Sequence, residues 1–324
     1  NWTFKTDSEI VASPVIKNDK IVVGSTEGDI YCIDISGNLL WEFKTEYSIE
    51  ASALILGNNV YVGNLKGNFY AINLDTGEEL WTYKSRNQIN AAANYWSNDS
   101  EDFIIFGDYD YYLNCLNAQT GELIWQYEAM NYIHSSVAIE DDYAVFGGCD
   151  GFLHVVDLKT GKALRNIEIA TYIASTPALN RGHAFIGDYD GKFSCVNLLK
   201  EEIVWQFRNP NKELAIIAAP VIQNFRVLFG SRDNHIYCLN IFNGNLLWKK
   251  NTGARIDASL IADKKNVLVC NLRGDIILMD IATGNSIWIY EVGSQIIGNP
   301  AVVNNLIVLA ASDGTVYCLT KSEK

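Results

Sequence analysis

Short runs of alternating apolar and polar residues follow one another along the whole chain, separated by residues typical of tight turns. In the stretch from Asn59 to Ser85, one run ends at Gly63, a second covers Phe69 to Asn73, and a third contains Trp81. Period-two alternation lets one face of a β-strand meet a core, and glycine supplies the positive φ angles that short hairpins need. The stretch therefore predicts three strands joined by two tight turns.

A tryptophan in the third run marks the same position in later copies of this unit. The position is filled in turn by Trp2, Trp41, Trp81, Trp125, Arg165, Trp205, Trp248 and Trp288, at spacings of 39, 40, 44, 40, 40, 43 and 40 residues. A period near 40 residues with four short strands per unit is typical of a β-propeller blade. The sequence therefore predicts an all-β, eight-bladed β-propeller of four-stranded antiparallel blades, with residues 1–324 as a single domain.

Each blade carries recurring markers for its strands. An Ile-x-small-small segment, first seen at Ile10 to Pro14, marks the innermost strand, where small residues suit the crowded centre of a propeller. The second strand ends at a small residue, first at Gly24, and the third runs through an apolar segment such as Tyr31 to Asp34. Blade 8 lacks an outer strand at the C-terminal end, so we expect residues 1–6 to supply it and close the ring.

Two polar insertions account for the longer spacings. Trp96 to Asp102 is expected to form a loop between the first two strands of blade 3, and Asn209 to Glu213 is expected to precede the first strand of blade 6. In a propeller these two places lie on opposite faces. Loops are where repeat scaffolds vary for function, although short polar insertions are more often neutral.

Composition limits the classes of partner. The chain has 25 Lys+Arg and 38 Asp+Glu residues, a net charge of −13, and 48% hydrophobic residues. A large core is therefore possible, whereas the basic surface of a nucleic-acid binder is missing, so we expect no nucleic-acid partner. No apolar run approaches the roughly 20 residues needed to span a bilayer, and we expect no membrane insertion. The first residues already belong to the repeat, so no signal peptide is expected in them.

The turn before each tryptophan carries a second recurring motif. Blade 2 reads Ala71-x-Asn73-x-x-Thr76-Gly77-x-x-x-Trp81, and Asp157-x-x-Thr160-Gly161 and Asp280-x-x-Thr283-Gly284 are further copies. This pattern resembles the tryptophan-docking repeat of the pyrroloquinoline quinone (PQQ) propeller superfamily, over essentially the whole chain. The resemblance implies that the repeated tryptophans pack between adjacent blades.

The superfamily contains quinoprotein dehydrogenases and cofactor-free binding propellers, because a fold can host several functions. The resembled dehydrogenases are generally longer, and carry a vicinal Cys-Cys disulfide and a tryptophan against the quinone together with Glu, Asn and Asp ligands to calcium. This sequence has no Cys-Cys pair and no long insertion. The resemblance therefore favours the cofactor-free branch, with no cofactor expected and PQQ with calcium as the alternative.

Cysteines occupy one recurring position in the third strand, namely Cys32, Cys115, Cys195, Cys238 and Cys318. Equivalent positions in different blades should lie beyond the roughly 7 Å that a disulfide allows between Cα atoms. We interpret them as small buried apolar residues, which favours a reducing compartment such as the cytoplasm, or an anaerobic source. No Cys-x-x-Cys or Cys/His pair has metal-ligand spacing, so no metal site is predicted from them.

Candidate site residues cluster where the channel should open. The residues after the repeated isoleucine, those after the second strand, and those in the entry loops include polar and aromatic side chains: Glu50, Asn90, Asp108, Tyr109, Tyr132, His134, Tyr172, Asp188, Tyr189 and Asp257. One interpretation is that a channel mouth is simply solvated. Another is a recognition surface for a protein, peptide or glycan, since tyrosine offers rigid amphipathic contact area. A third is a divalent cation held by Glu50, Asn90, His134 or Asp257.

No nucleophile elbow, phosphate loop, zinc motif or dinucleotide fingerprint occurs in the chain. The four histidines, His134, His154, His183 and His235, are more typical of turn or edge positions than of a general base. The leading hypothesis is thus a non-catalytic binding or scaffolding propeller, expected to be monomeric, that recognises a protein, peptide or glycan at the channel mouth. The alternative is a PQQ- or metal-dependent dehydrogenase.

Overall fold

A computed structural model describes residues 2–169, 171–210 and 213–320, and these form eight four-stranded antiparallel sheets arranged as the blades of a propeller. None of the described residues belongs to a helix that could cross a membrane. The predicted all-β, eight-bladed architecture is confirmed.

The strands of blades 1 to 4 follow one another outward from the channel. Blade 1 comprises β2 (Val15–Lys17), β3 (Lys20–Gly24), β4 (Asp29–Asp34) and β5 (Leu39–Lys44). Blade 2 comprises β6 (Leu54–Leu56), β7 (Asn59–Gly63), β8 (Asn68–Asn73) and β9 (Glu79–Lys84). Blade 3 comprises β10 (Asn94–Ser97), β11 (Asp102–Gly107), β12 (Tyr112–Asn117) and β13 (Leu123–Glu128). Blade 4 comprises β14 (Ala138–Glu140), β15 (Tyr143–Gly147), β16 (Phe152–Asp157) and β17 (Ala163–Glu168).

The remaining four blades have the same order. Blade 5 comprises β18 (Ala178–Asn180), β19 (His183–Gly187), β20 (Lys192–Asn197) and β21 (Glu202–Arg208). Blade 6 comprises β22 (Val221–Gln223), β23 (Arg226–Gly230), β24 (His235–Asn240) and β25 (Leu246–Asn251). Blade 7 comprises β26 (Ile261–Ala262), β27 (Asn266–Cys270), β28 (Asp275–Asp280) and β29 (Ser286–Glu291). Blade 8 comprises β30 (Ala301–Val303), β31 (Leu306–Ala310), β32 (Thr315–Thr320) and the N-terminal β1 (Trp2–Lys5).

The N-terminal strand closes the ring as expected. β1 pairs antiparallel with β32, with Trp2 opposite Cys318 and Lys5 opposite Thr315. The Trp2 and Phe4 side chains pack against a buried cluster shared by blades 8 and 1. The first and last parts of the described chain therefore build one sheet.

The middle strands of each blade are apolar on both faces because neighbouring blades cover both sides. Second and third strands are buried along most of their length, whereas outer strands alternate between exposed and half-buried residues. Each hydrophobic cluster joins two adjacent blades; one cluster, for example, combines Val22 and Cys32 of blade 1 with Val60 and Ile72 of blade 2. The core is therefore a set of layers between blades, and the cysteines of the third strands lie inside it as predicted, with all seven thiols free.

Two local predictions differ from the structure. The Ile-x-small-small segments are connections, and the innermost strand starts directly after each one, as at Val15 and Leu54. Their isoleucine N–H groups donate to a turn of the preceding blade, for example Ile49 to the Ser25 oxygen at 2.9 Å, and so cannot join a ladder. Trp96 and Asp102 lie in β10 and β11, which leaves only residues 98–101 as the loop; Trp96 is buried against Phe103. The other predicted insertion, Asn209 to Glu213, lies partly outside the described residues.

Small residues in these connections form hydrogen bonds from blade to blade around the channel. The Ala219 N–H donates to Ser259 Oγ at 3.1 Å, and the Ser259 N–H donates to Asn299 Oδ1 at 2.6 Å. The Asn299 N–H then donates to Ser13 Oγ at 2.8 Å, and the Ser13 N–H donates to Ser52 Oγ at 3.0 Å. Short side chains are needed because each must reach the next blade within one hydrogen bond.

The repeated tryptophans join each blade to the next one. Six of the indole Nε1–H groups donate to a main-chain oxygen of the following blade, as Trp41 does to Leu74 at 2.9 Å and Trp125 does to Leu158 at 2.9 Å. The same six indole rings lie on a glycine in the turn after the third strand of that blade, preceded by threonine in four of the six turns. A Cβ added at Gly37, Gly77, Gly121, Gly161, Gly244 or Gly284 would come within 2.5–2.8 Å of the ring. These glycines are required by the close approach of the ring and by their positive φ angles.

At the junction of blades 4 and 5, both the tryptophan and the glycine of this contact are replaced by other residues. Arg165 faces Val155 in the register that Trp125 has with Cys115, and the glycine of the following turn is replaced by Glu201, with φ of +58°. Arg165 Nε and Glu201 Oε1 are 3.6 Å apart. An exposed ion pair of this kind contributes at most about 1 kcal/mol, so blades 4 and 5 are joined more weakly here than their neighbours.

We expect the substitutions Arg165→Trp and Glu201→Gly to stabilise the protein only when they are combined. Arg165→Trp alone would place an indole against the Glu201 Cβ, and Glu201→Gly alone would remove the ion pair. A double-mutant cycle by urea unfolding should therefore give a favourable coupling energy of about 1–3 kcal/mol. Additive single effects would contradict the steric explanation.

Candidate binding site at the channel mouth

Two kinds of connection form the channel mouth in every blade. One is the turn between the second and third strands, and the other is the loop that enters the innermost strand. The two are tied together by the main chain: the Cys149 N–H donates to the Tyr132 oxygen at 3.2 Å, and the Tyr189 N–H donates to the Tyr172 oxygen at 3.1 Å. The backbone therefore pairs one residue of each turn with one residue of the entry loop in the same blade.

On blades 3 to 5 this pairing brings tyrosines together around a cavity of about 390 Å³. We call these residues the tyrosine rim, and they are Tyr109, Tyr132, Tyr172 and Tyr189. Three of them are well exposed, with 42% for Tyr132, 60% for Tyr172 and 43% for Tyr189. The Tyr109 and Tyr132 rings stack at 5.0 Å between centroids. The rim is thus an accessible aromatic surface supported by hydrogen-bonded main chain.

His134 completes one wall of the cavity and bonds to the rim. Its Nδ1 is hydrogen-bonded to the Tyr109 hydroxyl. Loss of solvent against the rim lowers the pKa of His134, although the residue as a whole remains exposed. Burial together with nearby Cys149 and Glu50 raises the pKa of Tyr109 to about 12. Both groups are therefore neutral at pH 7, with the tyrosine donating and the histidine accepting. A neutral imidazole can accept a proton, but Nδ1 of His134 faces the Tyr109 hydroxyl, and the raised pKa of Tyr109 makes that hydroxyl a poor proton donor.

Tyr111 beside the rim adopts an unusual backbone conformation. Its φ is +74°, where most equivalent turns have glycine, as at Gly67 and Gly191. A Cβ at those two glycines would come within 2.4 and 2.8 Å of main-chain oxygens of the entry loop. Positive φ in a bulky residue is rare and costs about 1–2 kcal/mol. The Tyr111 side chain packs on Tyr132 at 5.3 Å between centroids and remains 37% exposed, so it extends the aromatic surface beside the rim.

The predicted polar residues fall into three separate places. Glu50 and Asn90 lie on the adjoining blades 2 and 3, where the Asn90 amide donates to Glu50 Oε2 at 3.3 Å. Asp257 lies across the mouth on blade 7 and accepts two hydrogen bonds from Arg232, at 3.0 and 2.9 Å. Asp108 and Asp188 lie beneath the rim, with only 1% and 2% exposed. The cluster predicted from sequence is therefore one aromatic cavity flanked by polar pairs.

The two buried aspartates hold the turns that carry Tyr109 and Tyr189. Asp108 Oδ2 accepts hydrogen bonds from Ser85 Oγ at 2.6 Å and Asn114 Nδ2 at 2.9 Å. Asp188 Oδ1 accepts from the Lys192 N–H at 2.9 Å, whereas its Oδ2 has no hydrogen-bond partner among the described residues. Burial raises the pKa of Asp188, although the Lys192 N–H and the nearby Thr171 hydroxyl act in the opposite direction. The Thr171 hydroxyl lies close without forming a hydrogen bond of good geometry.

Sequence reasoning missed three residues that line the cavity: Asn131, Cys149 and Ala174. Cys149 occupies the turn position that Tyr109 and Tyr189 hold in the neighbouring blades, so the repeat alignment could have identified it. Burial and the adjacent Asp150 raise the pKa of the Cys149 thiol. Its thiol is protonated at pH 7, which makes it a poor nucleophile.

His154 is also buried. It is the third residue of β16 and lies 3.0 Å from Asp150 Oδ2. Burial alone would raise the pKa of Asp150, but His154 and the N–H groups of Phe152 and Met130 hold it below its ordinary value. This pair supports the turn of blade 4 below the cavity.

The donor groups at the mouth do not fit PQQ with calcium. The cavity has a single cysteine instead of a vicinal pair, and the carboxylates of Glu50 and Asp257 are on separate blades and already engaged. No group of three or more His, Cys, Asp or Glu side chains with metal-binding geometry occurs in the described part of the chain. We therefore derive no step through the quinone.

Comparison with known proteins identifies the family. The family model described as outer membrane protein assembly factor BamB matches residues 1–129 and 109–324, and thus the whole chain. The chain belongs to this family. The structure of BamB from Moraxella catarrhalis has a TM-score of 0.84 at 17% identity and covers 99% of both chains. Quinohemoprotein alcohol dehydrogenase from Comamonas testosteroni has a TM-score of 0.81 at 12% identity, over 99% of this chain and 76% of that chain. At these identities both structures support the PQQ-type propeller fold alone.

Curated relatives match only part of the chain. The human beta-alanine-activating enzyme is 27% identical over 101 residues, which are 29% of this chain and 9% of that enzyme. BamB from Nitrosomonas eutropha is 21% identical over 120 residues, which are 37% of this chain and 29% of that protein. The chain thus matches less than a third of the length of either relative. The shared segments correspond to about three propeller units.

We expect Asp188→Asn to raise the free energy of unfolding at pH 7. A carboxyl group whose pKa is raised on folding destabilises the folded state once it ionises, and the amide keeps the acceptor for the Lys192 N–H. The gain should disappear as the pH falls below about 4, where the wild-type carboxyl is protonated in the unfolded chain as well. Urea unfolding between about pH 3 and pH 8 measures the difference in the free energy of unfolding.

Asp108→Asn is the matched control. It should lower stability at pH 7, because an amide nitrogen cannot accept the hydrogen bonds from Ser85 and Asn114. An equal loss of stability in Asp188→Asn and Asp108→Asn would contradict the difference between the two carboxylates, namely that Asp188 Oδ2 lacks a hydrogen-bond partner among the described residues and Asp108 Oδ2 has two.

Proposed function

We propose that this propeller is a non-catalytic binding protein that holds a peptide segment of a protein partner on the tyrosine rim. The observation that carries the proposal is the convergence of four tyrosines from blades 3, 4 and 5 around one cavity. Tyrosine gives large amphipathic contact area with little side-chain entropy to lose, which is why it is enriched in recognition surfaces. The family is named for a protein assembly factor, which supports a protein as the partner.

The ionisation states of the side chains in the cavity support ligand binding rather than catalysis. The raised pKa values of Cys149 and Tyr109 keep both groups protonated at pH 7, so the cavity offers neither a thiolate nor a phenolate, and the neutral His134 is hydrogen-bonded to Tyr109. It does offer exposed hydroxyl groups and aromatic faces. These groups suit main-chain and side-chain contacts of an extended peptide, and they also suit a glycan, so the test includes both.

We expect the Tyr132→Ala and Tyr172→Ala double variant to lose ligand binding while keeping its melting temperature within a few degrees of the wild type. The probes are a displayed library of random dodecapeptides and an array of immobilised glycans, each tested on wild type and variant. Selected peptides should bind the variant at least tenfold more weakly. Tyr290→Ala is the matched control, because Tyr290 is 48% exposed but lies on the outer strand of blade 7.

The variant Tyr111→Gly tests whether the Tyr111 side chain contributes to peptide binding, because it removes the side chain and the backbone strain together. The glycine relieves the left-handed conformation, so stability should stay within about 1 kcal/mol of the wild type, whereas peptide affinity should fall because Tyr132 loses its neighbour. Peptide binding that survives all three tyrosine substitutions would refute the site. Binding of glycans alone would refute the peptide assignment.

The alternative function, a quinoprotein-type dehydrogenase, has a direct assay. Purified protein is incubated with PQQ and calcium, and reduction of an artificial dye is followed with alcohols and aldose sugars. We expect no turnover above that of the free cofactor. Protein-dependent turnover that requires Glu50 or Asp257 would overturn the proposed function.

A further inference from the structure

A second cavity lies on the face opposite the mouth, between blades 5 and 6. It measures about 520 Å³ and is lined by the β18–β19 turn, the β22–β23 turn and the turn that contains Phe242. We call it the blade 5–6 groove. Phe225 is 70% exposed, Phe242 is 68% exposed and Val204 is 46% exposed. Large apolar side chains this exposed, and gathered around one cavity, are typical of an interaction surface.

The blade 5–6 groove can be compared with the equivalent groove between two other blades. The equivalent groove between blades 2 and 3 measures about 360 Å³ and is lined by polar side chains, including Asn58, Ser100, Glu101 and Gln119. Gln119 corresponds to Phe242 in the repeat. Positions equivalent to Phe225 in other blades are Asp19, Asn58, Asp142, Gly182 and Asn305. The scaffold does not require aromatic residues at these two turn positions, so the two phenylalanines need another explanation.

Phe225 is also unfavourable for the backbone. It lies in a two-residue hairpin turn with φ of +63°, next to Asn224 at +49°. Such turns favour asparagine, aspartate and glycine. Its ring packs on Phe242 at 5.6 Å between centroids, with 32° between the planes. The left-handed backbone and the exposed aromatic ring of Phe225 each lower the stability of the folded protein. Backbone strain of this kind is concentrated at functional sites.

Charged residues around the groove indicate the charge of a ligand that would bind there. Arg181 lines the groove and forms no ion pair with any described residue. The Asn224 amide donates to the Lys264 main-chain oxygen at 3.0 Å, which places the first turn of blade 7 beside the groove. Glu140 is the nearby carboxylate, and it accepts hydrogen bonds from the N–H groups of Arg181 and Gly182. A cation without an ion-pair partner among the described residues, on a chain of net charge −13, creates a local attraction for carboxylates.

We propose that the blade 5–6 groove binds an acidic peptide segment that carries bulky apolar side chains, supplied by a protein partner. The apolar side chains enter the groove between Phe225, Phe242 and Val204, and a flanking carboxylate lies toward Arg181. A recessed cavity favours a peptide over a flat lipid surface. This site is separate from the tyrosine rim and does not depend on it.

The probe is a fluorescein-labelled dodecapeptide that alternates Asp or Glu with Phe or Leu, and binding is measured by fluorescence anisotropy. The test variant is Phe225→Asn with Phe242→Gln, which restores residues that the other blades use. Because asparagine suits the left-handed turn, the melting temperature of the double variant should equal or exceed that of the wild type. We expect at least tenfold weaker binding by the variant, and weaker binding by the wild type as salt concentration rises.

Three controls make the outcome specific. Gln119→Ala changes the equivalent groove between blades 2 and 3 and should leave affinity unchanged. The Tyr132→Ala and Tyr172→Ala variant should also bind the dodecapeptide normally, which separates this site from the mouth. A peptide with lysine in place of every acidic residue should bind at least tenfold more weakly, and Arg181→Glu should reverse that preference.

The proposal is overturned if the double variant binds the acidic peptide as tightly as the wild type, or if the lysine peptide binds equally well. Two further measurements test other occupants. Flotation with phosphatidylglycerol vesicles that depends on Phe225 and Phe242 would assign the groove to a membrane surface instead. A dimer detected by analytical ultracentrifugation and lost in the double variant would assign it to a second copy of the chain.

Discussion

The contact between a tryptophan and a glycine of the next blade is the constraint on which the ring depends. The indole ring occupies the space where a Cβ would lie, and its N–H satisfies a main-chain oxygen in the same turn, as Trp81 does for Ala118 at 3.1 Å. Because the blades share no β-ladder with one another in the described structure, side-chain packing and such hydrogen bonds hold them in register. The exception in blade 4 illustrates the rule: where Arg165 replaces the tryptophan, Glu201 replaces the glycine.

A rigid ring leaves the turns free to vary. At the mouth, the main chain fixes the distance between turn and entry loop, and the buried aspartates fix the turn itself, so the outward-pointing residue can change from blade to blade. Tyr109 and Tyr189 occupy this variable position on blades 3 and 5, and Arg232 occupies it on blade 6. The proposed recognition surface is thus made of side chains that contribute little to the stability of the scaffold.

Sequence patterns predicted the blade number, the second and third strands and the ring closure, because the 40-residue period and the buried runs are set by packing between blades. They misplaced the innermost strands, since the conspicuous Ile-x-small-small segment is shaped by hydrogen bonds to neighbouring blades rather than by a ladder. At the site, the sequence could not show which candidate residues are exposed, as Tyr172 is, and which are buried, as Asp188 is. It also could not show that Asp257 is engaged by Arg232, because that contact joins residues of different blades.

Tyr111 and Phe225 occupy left-handed turns on opposite faces of the ring, and both depart from the residue that the other blades use there. An engineer who made the eight units identical to gain stability would replace Tyr111 with glycine and Phe225 with asparagine or aspartate. The resulting ring would be an easier protein to fold and purify. It would also have a polar, uniform surface on both faces, so a consensus version of this propeller is expected to be a scaffold without ligands.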